Sequence, residues 1–132
     1  MEARTMVMIE RLAELVNGNP PVVSRGRLVT TEIQVMMGRD EYRIRIEEGR
    51  IVGVEKGPFL MRPCSLTIRA SAESWGKFWQ PYPPPGYQDI FAMTKKREAE
   101  VSGDFRLLMQ NLRYFKEVLE APRKLAGEGR HA

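Results

Sequence analysis

Few side chains in this sequence could do acid–base, nucleophilic or metal chemistry. The single histidine, His131, is the last residue but one, in a polar, Gly-containing stretch, and positioned proton transfer needs a held side chain. The single cysteine, Cys64, excludes an intramolecular disulfide framework and a Cys-rich zinc site. It falls on the apolar side of an alternating run, where a thiol acts as a small hydrophobe. Glu47, Glu48, Glu98 and Glu100 fall at strand ends or on polar faces, and solvation accounts for them. No Gly-rich phosphate loop is present. The expectation is a chain that is not an enzyme and takes no cofactor and no metal.

The residues that stand out are apolar. Trp75, Phe78 and Trp79, then Tyr87, Ile90 and Phe91, then Phe105, Leu108, Met109 and Leu112 fall at helical spacing on three successive predicted helices. Core packing is the plain explanation for any one of them. Together, with short helices joined by a Pro-rich loop, they suggest a cavity under a lid, with Trp75, Trp79, Tyr87 and Phe91 around its mouth. Some of the 8 Met, Met93 and Met109 among them, suit a pocket that repacks around apolar guests.

Charge narrows the partners. The 132 residues carry 21 Lys+Arg against 17 Asp+Glu, a net +4. Arg43 and Arg45 alternate with Glu41 and Glu47, and Lys95-Lys96-Arg97 is followed by Glu98 and Glu100, so the signs interleave and no nucleic-acid stripe forms. Lys95, Lys96, Arg97, Arg123 and Lys124 could add weak attraction to an anionic membrane, roughly 1 kcal/mol each near such a surface. No apolar run approaches the roughly 18 residues of a membrane span, and the first ten residues lack the unbroken apolar core of a signal peptide. A cytoplasmic protein is expected.

The elements that must position these residues follow from periodicity. Met8, Ile9, Leu12, Leu15 and Val16 share a helix face, and Asn17-Gly18-Asn19-Pro20-Pro21 stops that helix, with Gly18 suited to a left-handed turn. Thr31, Ile33, Val35 and Met37, then Tyr42, Ile44 and Ile46, alternate with polar residues, and Ile51 to Val54 completes a three-strand meander with one wet face. Cys64, Leu66, Ile68 and Ala70 mark a fourth strand, and Ser71 caps the helix of Trp75 to Trp79. After the loop Pro81 to Gly86 comes the helix of Tyr87, Ile90, Phe91 and Thr94. A fifth strand holds Ala99 and Val101. Asp104 then caps one long helix to about Ala121, and Pro122 ends it. The expected fold is α+β, one domain over residues 1–122, with a five-stranded, mostly antiparallel sheet covered on one face by helices. Arg123 to Ala132 is expected to be a mobile polar tail.

The order of elements and two motifs resemble the sterol carrier protein type-2, or non-specific lipid-transfer, family. One motif is Ala99-Glu100-Val101-Ser102-Gly103-Asp104 before the helix from Phe105; the other is Cys64-Ser65-Leu66-Thr67-Ile68 leading into Ser71 and the helix with Trp75 and Phe78. Arg97-Glu98 stands where the family commonly has Gly-Lys, and Gln80 to Gly86 is an insertion-like loop. The resemblance implies an apolar tunnel that binds, or binds and transfers, a lipid, fatty acyl or sterol-like molecule without covalent chemistry. The alternative it leaves is an accessory or assembly domain with a filled tunnel, binding a partner protein or enzyme or a second copy of itself.

Overall fold

The computed structural model describes residues 9–59 and 63–125. Met8 of the predicted first helix, and His131 with the tail from residue 126, lie outside the described residues. Five strands, β1 (Thr31–Met37), β2 (Asp40–Glu47), β3 (Arg50–Lys56), β4 (Leu66–Ala70) and β5 (Ala99–Gly103), form one sheet in the order β3-β2-β1-β4-β5. Ile33, Val35, Met37, Tyr42, Ile44, Ile46, Leu66, Ile68 and Ala70 are buried, as the two-residue alternation predicts. β1 is the pivot: it runs antiparallel to β2 and parallel to β4, with Ile33 opposite Leu66 and Met37 opposite Ala70. A parallel neighbour requires a crossover, and the chain makes it between β3 and β4. The sheet is thus mixed, with three antiparallel pairings and one parallel.

A register shift separates Ile46, opposite Ile51, from Arg45, opposite Gly53. Val52 is the extra residue of this bulge, and it is 45% exposed. The insertion brings Ile51 and Val54, three positions apart, to the same packed side.

The helices are short: α1 (Leu12–Asn17), α2 (Pro20–Arg25), α3 (Ala72–Phe78), α4 (Ile90–Lys95), α5 (Phe105–Gln110) and α6 (Leu112–Glu120). Three carry side-chain caps. Ser71 Oγ accepts from Ser74 N at 3.0 Å, Asp89 Oδ1 from Ala92 N at 2.8 Å, and Asp104 Oδ1 from Leu107 N at 2.9 Å. Two expectations about helices are corrected. Pro20 and Pro21 do not merely stop the first helix; they open α2, because proline at the first helical positions loses no hydrogen bond and has its φ already set. Gly18 correspondingly has φ −80° and makes no left-handed turn. The long final helix is broken at Asn111 (φ −126°, ψ 33°) into α5 and α6, and the Asn111 amide donates to Leu107 O at 3.1 Å.

Large side chains bind these short helices to the sheet. The Trp75 and Trp79 rings stack at 5.0 Å and Phe78 meets Trp75 edge-on at 5.6 Å. Trp75 Nε1 donates to Met36 O of β1 at 2.9 Å, and Trp79 Nε1 to Leu119 O of α6 at 2.7 Å. Tyr114 of α6 donates its hydroxyl to Gly49 O at 2.8 Å, and Gly26 lets the ring lie against backbone, since a Cβ there would fall 2.3 Å from it. Burial raises the pKa of the Tyr114 phenol.

The second face of the sheet is not uniformly wet, which corrects the reading of Arg43 as part of a solvated row. Arg43 is 2% exposed. Its Nε donates to Gln34 Oε1 at 3.0 Å and its Nη1 to Pro63 O at 2.9 Å, and the guanidinium lies 5.2 Å from the centre of the Phe59 ring. Gln34 Nε2 donates to Glu41 Oε1 at 3.1 Å, and Glu41 Oε2 accepts from Phe59 N at 3.1 Å. The crossover is fastened over this polar cluster. Removing the guanidinium leaves the buried Gln34 amide without its donor and the Pro63 carbonyl without its bond, so Arg43→Ala should lower unfolding stability by about 2 kcal/mol. Arg45→Ala, two residues along the same face and exposed, should change it by less than about 0.5 kcal/mol. Urea titration of the two variants checks this contrast.

Candidate functional site

β5 is one of the two edge strands of the sheet. Asp104 N donates to Ser65 O at 2.7 Å, which makes Ser65 and Asp104 a bonded pair. Bonded and non-bonded pairs alternate along an antiparallel ladder, so Glu100 and Ser102 turn their backbone groups toward Arg69 and Thr67 of β4. Ala99, Val101 and Gly103 turn theirs outward. The side chains divide the same way: Ala99 and Val101 join the helix-covered side, while Glu100 and Ser102 stand with Thr67 and Arg69 on the other.

α4 packs against β5, and α5 begins directly after it, so Phe91 and Phe105 meet edge-on with centroids 6.3 Å apart. Beside this pair runs a solvent-open groove of about 340 Å³. Phe91, Ala99, Val101 and Phe105 form its apolar side and Thr67, Arg69, Glu100 and Ser102 its polar side, and Thr94 lines it as well. Phe105 is 49% exposed and Met109, one turn on, also 49%. Two further openings, of about 280 and 570 Å³, lie along α6 and carry the charged Glu117 and Glu120 in their walls.

Of the residues predicted to surround a cavity, Phe91 and Phe105 meet at this groove, Met109 is exposed nearby and Leu112 is half-buried. Ile90 and Leu108 are buried behind them. Trp75, Phe78 and Trp79 are interlocked in the interior, at most 1% exposed. The placement of Trp75, Trp79 and Tyr87 at a mouth is corrected: all three are buried, at most 5% exposed, and Phe91 is the one of the four expected residues that lines this groove. Buried Tyr87 has the ammonium groups of Lys77 and Lys96 at 5.2 and 4.7 Å from its ring centre. The polar side of the groove was not foreseen. Thr67 and Arg69 alternate with the buried Leu66, Ile68 and Ala70 along β4, but only the pairing of β4 with β5 brings them beside Glu100 and Ser102.

Arg123 was also misplaced, as the start of a mobile tail and as a membrane-facing cation. Its guanidinium donates to Phe78 O at 2.7 Å, Gln88 O at 2.8 Å and Tyr87 O at 3.3 Å, pairs with Glu120 at 2.8 Å, and lies 4.6 Å from the Phe78 ring centre. One side chain therefore ties both ends of the Pro-rich loop to the C-terminal segment. Burial pushes the Glu120 carboxyl up, opposed chiefly by the Arg123 charge, and pushes Arg123 down, opposed chiefly by Glu120. Lys95, Arg97 and Lys124 remain exposed. Among the described residues, no group of three or more His, Cys, Asp or Glu could hold a metal, and no helix is long and apolar enough to cross a membrane.

Arg123→Ala deprives three carbonyls of their donor. It should lower stability by about 2 kcal/mol and speed amide exchange across residues 79–89. Hydrogen exchange followed by mass spectrometry checks this, and unchanged rates in that segment would show that the loop is held by other contacts.

The sequence matches no protein-family model and no curated protein. The similarity lies in the structure. A crystal structure of sterol carrier protein 2 superposes with a TM-score of 0.71 at 9% identity, over 89% of this chain and 94% of that one. The solution structure of a conserved protein from Thermus thermophilus, described as possibly a sterol carrier protein, gives 0.68 at 11% identity, over 91% and 87%. The ubiquinone synthesis protein UbiJ-SCP2 gives 0.57 at 17%, over 89% of each chain. A five-stranded mixed sheet with short covering helices, superposing over most of both chains in each comparison, gives this chain the sterol carrier protein 2 fold.

Proposed function

We propose that the chain binds a lipid, fatty acyl or other hydrophobic small molecule without chemical conversion, and that the groove beside β5 receives it. The observation that carries this reading is the open Phe91 and Phe105 pair, whose apolar wall meets solvent while the other aromatic side chains around it are packed away. Covering such a wall releases about 25 cal/mol per Å² of apolar surface. Phe91, Phe105, Met109 and Leu112 would touch the ligand. Trp75, Phe78, Trp79, Tyr87, Ile90 and Leu108 would form the packed floor behind it, yielding a deeper tunnel only if they move. The likeness to proteins named sterol carriers supports the ligand class at the level of fold.

A specific observation also favours a second reading, the accessory domain with a filled interior. Both indole N–H groups are bonded to backbone carbonyls and the aromatic rings interlock, which suits side chains that pack against one another. The likeness to a ubiquinone synthesis protein suits a domain that serves an enzyme or an assembly, through a protein partner or a second copy.

Titration of a fluorescent fatty alcohol, read by energy transfer from tryptophan, should saturate. The double variant Phe91→Ala and Phe105→Ala should weaken binding about tenfold, a loss of about 1.4 kcal/mol. Mass spectrometry of an organic extract of fresh protein should find a co-purified amphiphile. No saturation and a lipid-free extract would leave the accessory-domain reading standing and remove the first.

A further inference from the structure

We infer that the groove recognises the head of its ligand as well as its chain: Arg69 takes the anionic head group, a carboxylate or phosphate, of a single-chain amphiphile whose tail lies against Phe91 and Phe105. This rests on the groove-binding reading above and adds a ligand class to it.

The inference starts from what the arginines are doing. Arg25, Arg113 and Arg123 each pair with a carboxylate, and Arg43 is enclosed by acceptors. Arg69 is exposed, and the partner its guanidinium finds is the thioether of Met36, at 3.3 Å. A thioether is a weak acceptor that leaves most of the five guanidinium donors unused. Glu100 stands directly opposite Arg69 in the β4–β5 register, yet no ion pair joins them among the described residues. A guanidinium on the polar side of a groove whose other side is apolar, without a carboxylate bonded to it, complements an anion. Bonds to such an anion are charge-assisted and roughly twice as strong as neutral ones.

The edge of β5 supplies a second, independent set of donors. The outward N–H groups of Ala99, Val101 and Gly103 have no backbone partner among the described residues, and Ala99 and Val101 line the groove. A ligand crossing this edge would have its chain on the Phe91 and Phe105 side and its head on the Arg69 side, with edge amides between. A neutral alcohol head could accept a single uncharged bond there and would gain no charge complementarity. Glu100, on the same wall, opposes an anion and sets a limit on the gain.

The test is displacement of a neutral fluorescent fatty alcohol by hexadecanol, hexadecanoate and hexadecyl phosphate, at neutral pH, low salt and concentrations below micelle formation. The expected result is that one or both anions bind at least about tenfold more tightly than hexadecanol, and their order separates carboxylate from phosphate recognition. Arg69→Gln should bring the anion-to-alcohol ratio close to one, by weakening the anions far more than hexadecanol. Arg69→Lys should keep part of the preference, and Glu100→Gln should enlarge it. Opposite effects from Arg69 and Glu100 are not what a merely structural role would produce. Both residues are exposed, and circular dichroism checks that the variants are folded. Equal affinity of the three amphiphiles for the unaltered protein, or a preference that survives Arg69→Gln, would overturn the head-group assignment while leaving chain binding intact. Failure of all three to displace the probe would instead remove the groove as the binding site.

Discussion

The structure depends on covering the apolar face of a five-stranded sheet with helices of six to nine residues, too short to persist on their own. Isolated helices below about 12 residues are marginal in water, so tertiary contacts must hold them. Trp75 and Trp79 do most to meet that requirement. Their stacked rings fill the middle of the interior, one indole N–H fixes α3 to β1 through Met36 O, and the other fixes it to α6 through Leu119 O. α3 is thereby bonded in two directions, and Phe78 O at its end receives the Arg123 guanidinium. The Pro-rich loop, α4 and the groove take their positions from this junction.

Local signals in the sequence were legible where one residue type answers one backbone need. The alternation in β1 and β2, the caps Ser71 and Asp104, and the aromatic face of α3 follow from backbone geometry alone and match the structure. Signals that depend on a distant partner were not. Arg43 belongs to a run whose polar residues all look solvated, and its burial is decided by a crossover that places Pro63 and Phe59 over it. The parallel pairing of β4 with β1 is likewise set by chain path, since an alternating strand carries no mark of its neighbour's direction. Pro20 and Pro21 read as a stop because proline breaks a helix from within, yet the same missing donor is harmless at a helix start.

The site divides along the same line. Phe91 and Phe105 were named from helical spacing, and both line the groove. Spacing says which side of a helix is apolar and nothing of what lies above it, so it could not separate these half-open rings from the enclosed Trp75, Phe78 and Trp79. Arg69 and Thr67 were in view as the polar phase of a strand. They come to line the groove only through the edge position of β5, which depends on strand order.

The enclosed aromatic cluster also bears on how deeply a guest could enter. Withdrawing Trp75, Phe78 and Trp79 from the interior would lose about 1.5–3 kcal/mol of burial for each and about 0.5–1.5 kcal/mol for each of the two indole bonds. The total, on the order of 6–12 kcal/mol, is comparable to the whole stability of an ordinary domain, about 5–15 kcal/mol. A chain entering there would have to replace that packing in place, and at about 0.8 kcal/mol per buried methylene it would need on the order of ten methylenes or more to offset it. The groove asks for no such exchange, because Phe91 and Phe105 already present an open wall. For the ligand proposed above, first contact at the groove, followed by deeper insertion only of long chains, would therefore be the energetically accessible order of events. A short-chain guest would remain at the surface, where recognition of its head counts for most.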